Sequence, residues 1–155
     1  MTAITKSEGE PRKEMLAFNV GQQEFSIAMG SVREIRGWMP ATPIPLAPHY
    51  VLGVVNLRGV VLPIIDLAQR LGFPPTQPTS RHAIVVVESG RQATGLLVDS
   101  VSDIFTADGS QIQPTPDIAD QTAKQYVSGL IPLDGRLISV VDVDSLLFQA
   151  DAAAA

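Results

Sequence analysis

The sequence predicts a mostly β protein in which two small antiparallel barrels pack on one shared core. Short runs in which apolar and polar residues alternate, bounded by turn residues, are typical of half-buried strands. The spacing of Gly21 and Val32 recurs in Gly90 and Val101, which indicates an internal duplication. The chain has 155 residues, of which 45% are hydrophobic. This length and composition favour one domain with a real core.

Five strands are expected in the first half of the chain, at residues 16–20, 25–27, 32–38, 53–57 and 60–65. Prolines punctuate the segment 39–48, which predicts an extended connector with few ladder hydrogen bonds. An Arg58-Gly59 turn joins the last two strands. Pro63 within the fifth strand predicts a sheet edge or a bulge. Asp66 is the expected N-cap of a short helix at residues 67–71.

The second half repeats this order after a proline-rich loop at residues 73–80. Its strands are expected at residues 83–87, 93–98, 101–106, 129–133 and 136–141. Ser89-Gly90 and Asp134-Gly135 are the predicted turns, and the polar segment 107–120 is predicted as a loop with one helical turn. Asp142 caps a last short helix that ends at Leu147. The order of strands alone does not fix which strands form which barrel, so an exchange of strands between the halves stays open.

Composition excludes several classes of function. The chain has no cysteine, which excludes disulfides, thiolate metal sites and a cysteine nucleophile. A net charge of −5 and a sequence pI near 4.8 argue against a nucleic-acid-binding face. Neither His49 nor His82 has a second ligand at a metal spacing, and no nucleotide-binding or hydrolase motif is present. We therefore expect no catalytic residues, no metal and no cofactor.

The candidate interaction site combines residues 32–35 with the Arg58 turn. Alternation places Val32 and Glu34 on one side of a strand, while Arg58 stands on a tight turn between two apolar strands. Arginine on a rigid turn loses little freedom on binding. A solvated turn residue is an equal alternative for Arg58. The pattern also allows an ion pair between Arg58 and Glu34, and an exposed pair would add only about 0 to 1 kcal/mol.

These residues resemble the CheW family of bacterial chemotaxis coupling proteins. The segments that carry the resemblance lie, in the family order, at residues 32–37, 53–67, 95–99, 101–104, 126–130, 140–142 and 146–147. The resemblance implies two five-stranded SH3-like β-barrels around a shared hydrophobic core, with short helices and no catalysis. It covers a domain at residues 15–149, between flexible tails at residues 1–14 and 150–155.

The resemblance also implies partners. The family couples the regulatory domain of the histidine kinase CheA to the cytoplasmic tip of methyl-accepting chemotaxis receptors, which implies a cytoplasmic protein recruited to membrane receptor arrays. The implied receptor-binding residues are Val32, Glu34, Ile35, Gly53, Arg58, Ala83, Ile84, Gly95, Val101 and Ile104. Of these, Gly53 and Gly95 are expected to set backbone geometry. The kinase contact is expected on apolar surface at the barrel ends, at positions that the sequence does not name.

Two alternatives remain at this point. One is an adaptor of the same family in another chemosensory pathway, such as pilus motility or biofilm control. The other is a small β-barrel that binds a ligand or an oligonucleotide, which would need a basic, aromatic-lined face. Aromatic residues make up only 5% of the chain, which disfavours the second alternative.

Overall fold

The computed structural model describes residues 12–90, 92–116 and 125–147. Within these ranges the chain forms ten strands: β1 Lys13–Val20, β2 Gln23–Ala28, β3 Val32–Gly37, β4 Val51–Leu57, β5 Val60–Asp66, β6 Ala83–Ser89, β7 Gln92–Val98, β8 Ser100–Ala107, β9 Val127–Leu133 and β10 Arg136–Val141. Helix α1, Leu67–Arg70, follows β5, and residues 143–147 are helical after β10. The strand predictions are confirmed, with ends that differ by a few residues.

The ten strands form two five-stranded sheets that exchange strands between the halves of the chain. The first sheet has the order β8-β1-β2-β10-β9, and the second has the order β3-β6-β7-β5-β4. Replacing each strand by its repeat equivalent turns one order into the other. Each sheet therefore takes two strands from one half and three from the other. Parallel pairings of β10 with β2 and of β5 with β7 join the two contributions.

The strand registers support the internal duplication. Leu57 pairs with Val60 across the β4–β5 hairpin, and their repeat equivalents Leu133 and Arg136 pair across the β9–β10 hairpin. The two hairpins also share left-handed turn residues, at Arg58-Gly59 and Asp134-Gly135. A chance similarity of strand sequences would not reproduce both order and register.

The structure confirms two five-stranded sheets with short helices, but it does not confirm closed barrels. Neither strand order closes on itself. A single bridge pairs Thr42, downstream of β3, with Val54 of β4, and a matching bridge pairs Gln113, downstream of β8, with Leu130 of β9. Each bridge spans the gap between the two edge strands of its sheet.

One hydrophobic core lies between the sheets. Phe18 and Ile27 of the first sheet and Val85 and Leu96 of the second are all buried in it. Arg70 joins the halves at the edge of this core, because its guanidinium carbon lies 4.5 Å from the ring centroid of Tyr50 and 4.6 Å from that of Tyr126. These cation–π contacts link the residue that precedes β4 to the residue that precedes β9.

Several local predictions have a clear outcome. Pro63 is not on an edge strand, but β5 pairs with β7 only from Ile64 onward, so the missing N–H of Pro63 interrupts no ladder there. Asp66 caps α1 by accepting a hydrogen bond from the backbone N of Ala68 at 3.2 Å. It also accepts from the backbone N of Thr76 at 2.8 Å. The buried Asp66 carboxylate therefore fixes the proline-rich loop as well as the helix.

The predicted tails fall mostly outside the described residues. β1 begins at Lys13, inside the segment that was predicted as an N-terminal tail, because the strand pairs with β8 from that residue onward. Residues 1–11 and 148–155 lie outside the described ranges. The expected helical turn within residues 107–120 is present as a 3₁₀ turn at Gly109–Gln111.

Candidate functional site

The β4–β5 turn presents Arg58 in a fixed position. Arg58 has φ 54° and Gly59 has φ 85°, so both residues adopt the left-handed conformation of a tight hairpin turn. The side-chain oxygen of Asn56 accepts a hydrogen bond from the backbone N of Gly59 at 2.8 Å. The Arg58 side chain is 65% exposed. A partner can therefore reach the Arg58 guanidinium, and the backbone of Arg58 is already ordered in the turn.

Glu34 of β3 holds the Arg58 guanidinium. Nη2 of Arg58 lies 2.6 Å from Oε2 of Glu34, and Nη1 of Arg36 lies 3.3 Å from Oε1. The hydrogen bond from Arg58 lowers the pKa of the Glu34 carboxyl, partial burial opposes this change, and Arg36 adds to the lowering. The structure contains the ion pair of Arg58 and Glu34 that the sequence allowed. Exposed pairs add little stability, so this one chiefly orients Arg58.

Apolar side chains surround the ion pair. Leu57, Val60 and Ala93 line a cavity of about 180 Å³ beside Glu34 and Arg58. The side chains of Ile35 and Val61 are also exposed on this sheet, on the strand faces opposite to those of Glu34 and Val60. Positive charge within exposed apolar surface is typical of the centre of a protein interface, where arginine and large side chains carry much of the binding energy.

The second sheet brings eight of the ten predicted site residues together, on four strands and one turn. Val32, Glu34 and Ile35 lie on β3, which pairs with β6, where Ala83 and Ile84 lie. The other three are Gly53 of β4, Arg58 of the β4–β5 turn and Gly95 of β7. Glu34, Ile35 and Arg58 are the members of this group that combine surface exposure with a charged or large apolar side chain.

Three of these eight residues are buried, and two of them, Ile84 and Gly95, pack inside the sheet. Ile84 is buried. A Cβ atom at Gly95 would lie 2.6 Å from Cδ1 of Ile64 and 2.8 Å from Cγ2 of Ile84. Gly95 therefore allows β5, β6 and β7 to pack closely, and both residues would influence a partner through the position of the sheet.

Gly53 has a specific backbone role. Its φ is 143°, and a Cβ atom there would overlap the carbonyl oxygen of Thr42. This close approach permits the bridge in which Thr42 and Val54 exchange hydrogen bonds of 2.8 and 2.9 Å. The expectation that Gly53 sets backbone geometry agrees with this environment.

Val101 and Ile104 lie in the other sheet, on β8. They are the repeat equivalents of Val32 and Ile35. Ile104 is 53% exposed, whereas Val101 is partly buried against the shared core. The structure does not bring them into the sheet that holds Arg58.

Sequence reasoning missed three members of the site. Arg36 supplies the second positive charge on Glu34, and Val60 and Val61 supply exposed apolar surface. The role of Arg36 could have been predicted from the period of a strand, because positions 34 and 36 lie on the same face of β3. Val60 and Val61 gave no such signal, since an apolar run predicts a buried strand.

The first sheet carries a different arrangement at the equivalent place. Arg136 forms ion pairs with Glu24 and with Asp103. Its Nε lies 3.0 Å from Oε1 of Glu24, and its Nη2 lies 3.1 Å from Oδ1 of Asp103. These hydrogen bonds raise the pKa of the Arg136 guanidinium further above its usual value. This arginine is paired on two sides and is only one-third exposed.

Among the residues that the structure describes, no group of three or more His, Asp or Glu side chains could hold a metal ion. Asp99 accepts from the backbone N of Gly21 at 3.0 Å and lies 3.5 Å from Nε2 of His82. Asp103 instead contacts Arg136, so the two acids serve separate structural contacts. Across the described ranges, every helix is too short or too polar for a membrane crossing.

Comparisons with known proteins show the family to which this chain is related. The CheW-like domain family matches residues 14–151. The chain is 48% identical to the probable chemotaxis protein CheW of Rhizobium etli, with 100% of both chains covered. It is 50% identical to the chemotaxis protein CheW of Rhizobium meliloti, with 94% of both covered.

A solved structure gives independent support. The scaffolding protein TtCheW from Thermoanaerobacter tengcongensis superposes with a TM-score of 0.77 at 27% sequence identity. The match covers 85% of this chain and 90% of that one. On the strength of the family match, the high-identity relatives and the shared fold, this chain belongs to the CheW family of chemotaxis adaptor proteins.

Proposed function

We propose that this chain is a non-enzymatic adaptor that couples methyl-accepting chemotaxis receptors to the histidine kinase CheA. In this role it works in the cytoplasm and is recruited to receptor arrays at the membrane. The receptor tip contacts the β3 strand and the β4–β5 turn. The regulatory domain of CheA contacts a separate surface.

The observation that carries this proposal is the oriented Arg58. Its turn is fixed by two left-handed residues, its guanidinium is held at 2.6 Å by Glu34, and most of its side chain remains exposed. Because stability gains little from such a pair, the arrangement is better explained by binding. A preorganised guanidinium loses little side-chain entropy when a partner docks.

The surroundings of Arg58 suit a helical partner. A helix that carries an apolar stripe can pack against Val60, whose exposed side chain lines the cavity beside the ion pair, while one of its acidic or amide groups contacts Arg58. A contact area of this kind gives weak individual binding. Arrays of receptors and kinases raise the effective strength through multivalency without new contacts.

We further propose that each sheet is an SH3-like barrel whose last gap is spanned by one bridge. The bridges at Thr42–Val54 and Gln113–Leu130 support this view, because each lies between the two edge strands of its sheet. Such closure would leave no long exposed strand edge for unwanted pairing.

A non-enzymatic role is supported by how the charged groups are used. Asp66 caps a helix, Arg136 is paired with two acids, and His82 accepts a hydrogen bond from the backbone N of Thr79 at 3.0 Å. A general base needs a nitrogen or oxygen free to take a proton from a substrate. These groups are instead committed to the fold.

The test is charge reversal of Arg58. We expect Arg58→Glu to lower the affinity for a receptor cytoplasmic fragment by about tenfold or more, because the guanidinium is replaced by a carboxylate beside Glu34. Isothermal titration calorimetry measures this affinity. The melting temperature should stay within about 2 °C of the wild type, as for most surface substitutions.

The matched control is Arg81→Glu, which reverses an exposed arginine in the loop before β6. This variant should bind the receptor fragment as the wild type does. Equal loss in both variants would mean that net charge alone matters. A large fall in the melting temperature of Arg58→Glu would show that Arg58 is structural, and unchanged binding would contradict the receptor assignment.

A further inference from the structure

Glu34 lies between two arginines, and each of its carboxylate oxygens contacts a different one. Arg58 donates from Nη2 to Oε2 at 2.6 Å, and Arg36 donates from Nη1 to Oε1 at 3.3 Å. The other arginine of β3, Arg33, pairs instead with Glu88 of β6 at 3.6 Å. Among the contacts of the described residues, one carboxylate therefore serves two guanidinium groups, and one positive charge of this cluster is uncompensated.

The equivalent cluster of the first sheet has the opposite charge balance. There Arg136 pairs with two acids, Glu24 and Asp103. The repeat equivalent of Arg36 is Phe105, which packs against a hydrophobic core cluster. One acid is shared by two arginines in the second sheet, whereas one arginine is shared by two acids in the first. In a chain with a net charge of −5, an excess of positive charge at a docking site favours an anionic partner group.

Exposure decides which of the two arginines a partner can bind. The side chain of Arg58 is 65% exposed, whereas those of Arg36 and Glu34 are 36% and 28% exposed. The buried Nε of Arg36 has no hydrogen-bond partner within the described part of the chain. Arg58 can therefore turn toward a partner, while Arg36 keeps a further donor with which to hold the Glu34 carboxylate.

The free-energy cost of moving Arg58 falls on Glu34. If Arg58 turned to a partner, the Glu34 carboxylate would lose its shorter hydrogen bond. A partly buried carboxylate without a counter-charge is costly, and the apolar side chains of Leu57 and Val60 line the cavity beside it. Arg36 lowers this cost, because it is already within hydrogen-bond distance of the same carboxylate.

We propose that the receptor group that binds Arg58 is a carboxylate, and that Arg36 is the positioning residue that keeps Glu34 paired while Arg58 turns to this group. This inference rests on the proposed function and narrows the partner group from acidic or amide to acidic. An amide would leave the extra positive charge of the cluster uncompensated. When the receptor docks, Arg58 thus exchanges one ion pair for another, and Glu34 is not left alone.

The first experiment measures receptor affinity for Arg36→Met, both in the wild type and in the Glu34→Gln background. Calorimetry with a receptor cytoplasmic fragment is done at about 0.3 M salt, which screens long-range attraction. We expect Arg36→Met to lower the affinity about fivefold or more in the wild type, but less than about twofold in the Glu34→Gln background, where no carboxylate has to be held. Arg36→Lys keeps the charge and should keep most of the affinity.

The matched control is Arg81→Met, which removes the same charge from the loop before β6. This variant should bind the receptor fragment as the wild type does. An equal loss from Arg36→Met in both backgrounds would mean that Arg36 contacts the receptor or supports the fold, and it would overturn the positioning role. Unchanged affinity of Arg36→Met in the wild-type background would overturn this role as well.

The second experiment tests the receptor carboxylate and needs no change at Arg36. Each acidic residue at the tip of the receptor fragment is replaced in turn by its amide. We expect one of these changes to lower the affinity about tenfold for the wild type but less than about twofold for Arg58→Met, in which the ion pair is already lost. If no amide change has this effect, the inference is overturned while the proposed function stands. A wild-type protein that binds no receptor fragment would contradict the proposed function itself.

Discussion

The two sheets of this protein differ in how an arginine is paired and exposed at equivalent positions. In the second sheet, Glu34 faces the exposed Arg58, and two apolar positions, Val60 and Ala93, leave a cavity of about 180 Å³ beside the pair. In the first sheet those two positions hold Arg136 and Glu24, which form an ion pair. Each sheet therefore holds an arginine beside an acid, but Arg58 is 65% exposed, whereas Arg136 is paired with two acids and is 33% exposed.

The difference shows how a duplicated fold can specialise without a change of backbone. Both turns have left-handed residues, with φ 54° at Arg58 and 50° at Asp134. The acid on the neighbouring strand is also retained, as Glu34 in one sheet and Asp103 in the other. The side chains on the hairpin and on the strand beside it, Val60 and Ala93 in one sheet and Arg136 and Glu24 in the other, make the difference. The following predictions test this contrast.

The largest effect is expected from Gly53→Ala, compared with Gly129→Ala at the equivalent position. Gly53 has φ 143° and no room for a Cβ atom against the carbonyl oxygen of Thr42. We expect Gly53→Ala to lower the free energy of unfolding by about 3 kcal/mol through backbone strain and loss of the bridge. Chemical denaturation measures this change.

Gly129→Ala should cost less, about 1–2 kcal/mol. Its Cβ atom would lie 2.5 Å from Cγ2 of Ile112 and 2.7 Å from the carbonyl oxygen of Gln113, but this overlap is smaller than the one at Gly53, and Gly129 lacks the positive φ of Gly53. An equal or smaller loss for Gly53→Ala would contradict the role assigned to its backbone conformation.

The next contrast is Arg58→Met against Arg136→Met. Methionine keeps an unbranched apolar side chain and removes the charge. Arg58→Met should lower receptor affinity by about tenfold with little change in melting temperature. Arg136→Met should leave receptor affinity unchanged but lower the melting temperature more, because Glu24 and Asp103 lose their shared partner. The reverse pattern of binding and stability would refute the division between the two sheets.

The pH dependence of stability tests the Glu34 ion pair. Because Arg58 lowers the pKa of Glu34 in the folded state, this carboxylate contributes stability above its unfolded pKa of about 4.3. That contribution is lost as the pH falls through the lower folded value. Glu34→Gln should therefore be less stable than the wild type at pH 7 by a small margin.

The difference in unfolding free energy between the wild type and Glu34→Gln should shrink steadily below about pH 4.3 and vanish in strong acid. Urea denaturation of the wild type and Glu34→Gln at a series of pH values measures it. A difference between the two proteins that does not change with pH would mean that the Glu34 carboxylate gains nothing from Arg58.

The smallest effect is expected from Asp134→Arg, which gives the first sheet an arginine on its turn. The paired Arg136 and Glu24 still fill the place of Val60 and Ala93, so no second receptor site should form. The stoichiometry of the receptor fragment by calorimetry should stay at that of the wild type. A doubled stoichiometry would show that an arginine on the turn is sufficient for binding.

Much of this fold could be predicted from the sequence because its signals are local. Alternating apolar residues marked the strands, Asp66 marked the start of a helix, and the Arg58-Gly59 and Asp134-Gly135 turns marked the hairpins. The exchange of strands between the sheets could not be predicted. It depends on parallel pairings between strands that are far apart in sequence, and no local signal specifies these.

The candidate site was predictable in part for the same reason. Arg58 and Glu34 came from short motifs, and their pairing follows from the hairpin meeting β3. The contacts of Arg136 with Glu24 and Asp103 escaped prediction because three distant segments supply them. The burial of Ile84 and Gly95 also needed the structure, since it depends on which strands lie on either side.

The central claim is that only the second sheet presents a receptor-binding face. Amide chemical-shift perturbation in two-dimensional NMR spectra, recorded as a receptor fragment is added, tests this most directly. The account predicts that the perturbed residues cluster at Glu34, Ile35 and the Arg58 turn, while the Asp134 turn and Arg136 stay unchanged. Perturbations centred on Asp134 and Arg136, or equal on both turns, would contradict it.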